Sequence, residues 1–513
     1  MNMFEPGNIP KLFGFEDAAD ERDTQRLKEY FFKRGEYEAV TSELPLAIVV
    51  GFKGVGKSAL LKVAYIEDQD AERPALWIRP DDVIEMVEEL SNDLDFSKMV
   101  LLWKRGIAKL IASRIASDWM FVQAEDAKSA VGWAQETGYR NKDFIQRVVS
   151  LIQPSLTKNL NITGENEGAK KGEHHIVERL LRDKSITLYF DDLDAGWEAT
   201  KLQRRRLSAL LLALRNMTSD IKGIKARLAI RTDVYTLLRE SDESTDKFEN
   251  YVVNCNWGNH DILILLVKRV LTYFGDKIND DELNKKTQIE LNALLSKVMQ
   301  TQFTRTLEWR NKHTHKVIMS LIRSRPRDMI KLCTLAAKAA YARNKNSQLI
   351  EDIDFAEILA VYSQERVTDI ENEFKFELSN LKVLLYRLAP TKAELIEKKN
   401  RAKFVYTTSE LLEKIKNIMS NSTLRLTSSE HTTPIEIAHF LYKIGFITAR
   451  KKEPGKKIER KYYDEKKQLL KSGQIGDGGY EWEVHPSYRS AISTSEKNAW
   501  MSTVEIEDEI ASI

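Results

Sequence analysis

The sequence predicts an α/β fold: a parallel sheet of about five strands with helices on both faces, then a helical region and a smaller mixed module. Three observations predict it. Short apolar runs rich in β-branched residues recur through the first half, as expected of strands buried on both faces. Helical patterns alternate with them, which implies a parallel sheet. The first run, Leu46 to Val50, ends in a glycine-rich turn that opens a helix at Ser58.

The elements follow in order. Ala18 to Lys33 reads as a helix, and Leu46 to Val50 as the first strand. Further strands are expected at Ala75 to Ile78, where Pro80 stops the run, and at Ser185 to Phe190, Arg227 to Arg231 and Tyr251 to Cys255. Between the second and third strands the chain reads as mostly helical, at 83–90, 99–116 and 141–152, with a polar, glycine-containing loop at 161–173. Another helix is expected from Leu202 to Met217. After Trp257 the pattern is wholly helical to about Leu378. Then come helices at Leu411 to Met419 and Pro434 to Ile444, a strand at Phe446 to Arg450, the glycine cluster 472–479 and a strand at Tyr480 to Val484. That order is similar to a winged helix-turn-helix. The expected organisation is a core at 1–257 with a helical insertion at about 83–175, a helical lid at 258–345, a connector at 346–380, a winged-helix-like domain at 381–500 and an acidic tail at 501–513.

Composition excludes several classes. The 513 residues carry 79 basic and 77 acidic side chains, so the net charge of +2 does not indicate a globally basic nucleic-acid protein. Two cysteines rule out a disulfide scaffold and a four-cysteine zinc site. No basic segment followed by an apolar one opens the sequence, and no stretch approaches 18 uncharged apolar residues. The expectation is a cytoplasmic protein without a membrane partner. The histidine pairs 174/175 and 313/315 lack helical ligand spacing. Neither H-E-x-x-H nor G-x-S-x-G occurs.

Residues 51–58, Gly-Phe-Lys-Gly-Val-Gly-Lys-Ser, match G-x-x-x-x-G-K-[ST] in full. Glycines let the backbone curl so that several N–H groups face one concavity, and the following helix adds the positive end of its dipole. Lys57 is expected to reach the β- and γ-phosphates of ATP, and the Ser58 hydroxyl to complete a Mg²⁺ ligand set. The expected nucleotide contacts are Gly51, Lys53, Gly54, Val55, Gly56, Lys57, Ser58 and Ala59. The third strand ends in Asp191-Asp192-Leu193-Asp194, which puts carboxylates at the edge where ligands of open sheets bind. Asp191 is the expected second Mg²⁺ residue. Asp192 is expected to orient the attacking water, with Asp194 competing for that role or capping the next helix.

Because strand 75–78 intervenes in the sequence between these two motifs, the arrangement resembles the additional-strand P-loop ATPases. In that group the following strand carries a polar sensor, and here the resemblance points to Thr232 or Asp233, with Arg231 as a phosphate or subunit contact. The acid run 190–194, the lid sequence Arg323-Ser-Arg-Pro-Arg-Asp328 and the upstream segment Leu12 to Glu21 together resemble the AAA+ and STAND ATPases, including KAP-like and origin-recognition-like members. The resemblance spans roughly residues 10–345. It implies that Arg325 or Arg327 reaches the γ-phosphate, that Pro326 packs near the base, and that the upstream segment covers adenine. It implies assembly, expected here as a homo-oligomer, and a role beside phage-defence genes with a protein effector. The chain departs from the pattern in ending its acid motif Asp-Asp rather than Asp-Glu, and in lacking the membrane helices of many KAP-type proteins.

Two basic clusters remain. Arg204, Arg205 and Arg206 read either as an arginine finger or as a solvated helix face. The run from Arg450 to Lys461 has seven basic and two acidic residues. With Arg450, Lys451, Lys452, Lys456 and Lys457 it reads either as a DNA-contacting wing or as a solvated loop on a protein-binding module. The helix before it offers little for base readout, so any DNA contact is expected through the backbone.

Overall fold

The computed structural model describes residues 2–79, 82, 94–117, 185–241, 243–276, 279–305, 309–391, 393–394, 404–452, 458–471 and 478–493. The expected helices at 83–90 and 141–152, the loop at 161–173, His174 and His175, Lys456 and Lys457, most of the glycine cluster and the acidic tail lie outside them. The chain divides into two compact units. One comprises Lys33–Phe52 and Gly56–Cys255, the other Met1–Phe32, Lys53–Val55 and Asn256–Ile513.

The first unit is the α/β body. Its strands are β1 (Leu46–Gly51), β2 (Ala75–Ile78), β3 (Ile186–Phe190), β4 (Ile224–Arg231) and β5 (Val252–Asn254), in the order β2-β3-β4-β1-β5. All neighbours pair in parallel. This is the open parallel sheet of a P-loop NTPase, with β4 inserted between the loop-bearing β1 and the acid-bearing β3. β2, which intervenes in the sequence, is an edge strand, and its two central residues are only half-buried. Every residue of β1 is buried. The helix Lys201–Asp220 starts at a capping box in which Thr200 accepts from the Gln203 amide at 3.2 Å. Its Leu210, Leu214 and Met217 pack with Trp103, Ile107 and Ile111 of the helix Phe96–Ser117 in one core with the sheet.

β4 begins three residues before the strand expected at Arg227. The reason is Arg227 itself, a buried arginine inside a strand. Its guanidinium donates to the Leu44 and Ser42 carbonyls, each at 2.8 Å, and to that of Val40. Those donations let the charge sit in the core without an unmet hydrogen bond.

The second unit is mostly helical. The helix Asn259–Tyr273 buries an unbroken run from Ile262 to Val267. The helices Pro326–Arg343 and Asp352–Phe374 pack on one another. The C-terminal module belongs to the same unit. It has a four-stranded antiparallel sheet of β6 (Val405–Tyr406), β7 (Ile447–Lys451), β8 (Glu459–Lys461) and β9 (Glu481–Val484), in the order β6-β9-β7-β8. The helices Thr408–Ser420 and Pro434–Lys443 each open on a Thr-x-x-Glu capping box. A last helix, Pro486–Ile492, is anchored on Asp352–Phe374, where the Ala491 amide donates to Ser363 Oγ at 3.0 Å. The lid, connector and winged-helix-like divisions expected from sequence therefore fall within one compact unit.

Candidate nucleotide site

In the α/β body the loop leaves β1 and enters the helix Lys57–Asp70, whose N-cap is Gly56 at φ +90°. Gly54 also has positive φ, at +84°. A side chain at either position would be strained, which is the physical reason for glycine here. Ser58 Oγ donates to Asp191 Oδ1 at 3.1 Å, joining the two motifs across 133 residues of sequence. Asp191 is buried at the end of β3, and its carboxyl is pushed up to about 6. Burial is the main cause and the neighbouring Asp192 charge the second, while Ser58 and Lys57 oppose them. Lys57 Nζ donates to the carbonyls of Gly51 at 2.8 Å and Phe52 at 3.1 Å.

Asp192 is exposed and takes a left-handed φ of +54°. Asp194 is largely buried, with Arg231 Nε 3.8 Å from its Oδ2, and burial raises its carboxyl. Arg231 makes a two-pronged pair with Asp233, at 3.0 and 2.7 Å, just past β4. Arg231 thus serves internal acids. Thr232 opens the helix Thr232–Ser241 and accepts the Thr236 hydroxyl on its carbonyl at 2.8 Å. In the arginine run, Arg205 donates to the Leu94 carbonyl at 2.9 Å, and Arg206 offers its own carbonyl to Trp103 at 3.0 Å.

The helical unit holds the other expected residues. Pro326 is buried at the first turn of its helix, and Arg325 is the N-cap residue. Arg325 is only 5% exposed, and it pairs with Glu373 at 3.2 Å. Arg327 donates its amide to the Gly54 carbonyl at 3.2 Å and its Nε to the Glu16 carbonyl at 3.2 Å. Its guanidinium also lies 3.5 Å from Asp17. Lys53 and Val55 are held too: the Lys53 amide donates to Glu373 at 3.4 Å, and Trp257 Nε1 donates to the Val55 carbonyl at 2.7 Å. A cavity of about 1040 Å³ in this unit is lined by Glu16, Asp17, Lys53, Arg325, Arg327 and Glu373 among others. Upstream, Gly14 at φ +83° leaves room for the Arg269 guanidinium, which an added Cβ would meet at 2.3 Å.

One expectation for the C-terminal module is corrected. Arg450 is not a surface contact for nucleic acid: it is 4% exposed and bonds Glu481 across the sheet at 3.1 Å. No residue along the helix Pro434–Lys443 is fully exposed, in keeping with the little it offers for base readout. Lys443 pairs with Glu377 at 3.3 Å, and His439 Nδ1 shares a hydrogen bond with the Leu469 carbonyl at 2.9 Å. Tyr480 and Trp482 are buried, as core aromatics should be. Lys452 is exposed, and Lys451 lies over the Tyr480 ring.

Sequence reasoning missed Glu373, Trp257 and the buried knot in which Asp328 binds both Arg323, at 2.6 and 2.9 Å, and Arg366. Asp328 and Arg323 stood in the quoted lid sequence. Arg366 and Glu373 lie on the helix Asp352–Phe374 with no local pattern to mark them.

A family model described as the FunZ-associated C-terminal helical domain matches residues 281–371, inside the helical unit. The chain is 22% identical over 500 residues to the putative transposon gamma-delta 80.3 kDa protein of Escherichia coli K12. That match covers 92% of this chain, and the chain spans only 66% of that protein's length. Among solved structures it is similar to the Aeropyrum pernix ORC2 protein in ADPNP and ADP complexes, at 11% identity and TM-score 0.42, over 92% of this chain and 97% of that one. It is also similar to the Aeropyrum pernix ORC1 protein in complex with DNA, at 12% identity and TM-score 0.31, over 96% and 95%.

Proposed function

We propose that the chain binds ATP with Mg²⁺ on the Gly51–Ser58 loop and hydrolyses it slowly, as a molecular switch. The observation that carries this reading is the Ser58–Asp191 contact at 3.1 Å, which brings a hydroxyl and a buried carboxylate together at the strand ends of a β2-β3-β4-β1-β5 sheet. Both are hard oxygen donors, and Mg²⁺ takes one or two such protein oxygens beside phosphates and water. The bound ion would neutralise and orient the phosphate oxygens. A carboxyl raised by burial is one that a cation would bring back to its charged form.

The chain's own residues divide the work. Lys57 exchanges its loop carbonyls for the terminal phosphates. Asp192, solvent-facing beside Asp191, orients the attacking water, while Asp194 stays with Arg231. Thr232, at the end of β4, is the sensor, and Arg325 or Arg327 is the arginine that the family resemblance assigns to the γ-phosphate. The test is steady-state ATP turnover by the wild type and Lys57→Ala. The expected loss is about 100-fold or more, the size seen when one preorganised charge is removed from an active site.

A second reading is a nucleotide-gated scaffold with very little turnover. It is favoured by the cations being already engaged, Lys57 with carbonyls and Arg325 with Glu373. Saturable ATP binding without turnover would select it. The relative named for a transposon supports a setting of mobile DNA. The finer proposal, a defence switch that acts with an effector and as a homo-oligomer, rests on the family resemblance alone. A nucleic-acid contact in this proposal runs through Lys451, Lys452, Lys456 and Lys457, and salt-dependent duplex binding tests it.

A further inference from the structure

Three consecutive residues of the loop, Lys53–Val55, belong to the helical unit, and each is tied to a different group within it. Lys53 donates its amide to Glu373, Gly54 accepts from the Arg327 amide, and Val55 accepts from the Trp257 indole. Two of these ties leave the phosphate-binding capacity of the loop untouched, since they use carbonyls. The third does not. Glu373 is a buried carboxylate, 8% exposed, with one oxygen on a backbone N–H of the loop and the other on the Arg325 guanidinium. A backbone amide and an arginine are the pair of donors with which proteins hold a phosphate oxygen.

We propose that Glu373 is an internal anion that stands in for a nucleotide phosphate and holds the site in a resting state. This rests on the nucleotide reading above. A terminal phosphate entering the loop competes with the Glu373 carboxylate for Arg325 and for the Lys53 amide. Arg325 is then released to the phosphate, and Glu373 is expelled. Because Glu373 lies in the last turn of Asp352–Phe374, its displacement is felt at once by the C-terminal module. The next residue, Phe374, packs edge-on against Phe440 with ring centres 6.1 Å apart, and Glu377 holds Lys443. The helix that would read a groove in a winged helix is thus pinned by the segment that the nucleotide dislodges.

The carboxylate also explains why a buried arginine tolerates its site before any nucleotide binds. An unpaired guanidinium there would carry a desolvation cost, and Glu373 offsets it. Paired in this way, Arg325 is stable but unavailable.

The test is equilibrium binding of a fluorescent ATP analogue and of AMP to the full chain, for the wild type, Glu373→Gln, Arg325→Ala, the double variant and Lys57→Ala. Glu373→Gln keeps the shape and one acceptor but removes the charge. It is expected to tighten the ATP analogue by about tenfold, equivalent to ~1.4 kcal/mol, and to leave AMP unchanged. The gain should vanish in the Arg325→Ala background. Unchanged or weaker ATP binding by Glu373→Gln, with Lys57→Ala still abolishing it, overturns the internal anion and leaves the nucleotide site standing. Equal gains for ATP and AMP also overturn it, since AMP has no terminal phosphate to compete. Absence of binding by every variant overturns both readings. Arg325→Gln, which strands the Glu373 charge, is the second variant: it should weaken ATP binding, and unchanged binding argues against the proposal even if Glu373→Gln fails to fold.

Discussion

Asp191 and Asp328 are both buried aspartates, and their carboxyls are driven in opposite directions. Asp191 has a hydroxyl, a distant lysine and a like-charged neighbour, so burial wins and its carboxyl rises to about 6. Asp328 has two buried arginines within hydrogen-bond reach, which overcome an even stronger burial and hold its carboxyl far below the usual range. Asp328 is neutralised by the fold, and its site is finished. Asp191 has only the more distant Lys57 to offset its burial, which leaves a cost to folding that a bound cation would remove. Burial alone therefore does not fix the direction in which an acid is driven. The partner set does.

The most damaging way to break this comparison is to remove the satisfied acid. Asp328→Asn strands Arg323 and Arg366 in the interior, and breaking a buried pair costs about 3–5 kcal/mol. Denaturant titration should show a loss of that order, with ATP affinity in the surviving folded fraction changed far less.

A buried base with no partner sharpens the contrast. His315 is fully buried at the start of the helix Thr314–Leu321, and neither ring nitrogen has a hydrogen-bond partner among the described residues. Burial, then the nearby His313, lowers it from 6.5 to about 4. Its folded value lies below its unfolded one, so the unfolded chain binds the extra proton between these values. Stability falls as pH drops from about 6.5 to 4, by up to about 3 kcal/mol from this group. Unfolding free energies at pH 7 and pH 4.5 should converge by about 2 kcal/mol in His315→Phe relative to wild type.

The smallest expected stability effect comes from the unsatisfied acid, and its sign is reversed. Asp191 has a folded value above its unfolded one, so its contribution is most favourable in acid and is lost as pH rises from about 4 through 6. Asp191→Asn should therefore be more stable than wild type at pH 8, by about 1–2 kcal/mol after the lost Ser58 hydrogen bond, and less stable by about 1 kcal/mol near pH 4, where the lost bond is no longer outweighed. Mg²⁺ with ATP should stabilise the wild type and not the variant. A loss of stability at pH 8 would count against the open charge at this site.

The loop, the five strands and the acids at the end of β3 were legible because each is a local pattern. A glycine at positive φ, an apolar run and a carboxylate after a strand need only neighbours in sequence to be recognised. The capping boxes of the C-terminal module belong to the same class. Arg450 shows the limit. It sits in a basic run, and only the register that places it opposite Glu481 turns it inward. Likewise β2 falls between the two motifs in sequence, yet β4 lies between them in space.

By itself the sequence marked the Gly51–Ser58 loop and the acids after β3 as the candidates for holding phosphate and metal, because those chemistries are encoded in short spacings. Only the tertiary structure decided which charges are already spent. Arg325 on Glu373, Arg231 on Asp233, and Arg323 with Arg366 on Asp328 join partners on different elements or across turns. Whether a buried charge is satisfied depends on what faces it at about 3 Å, and no one-dimensional pattern carries that distance.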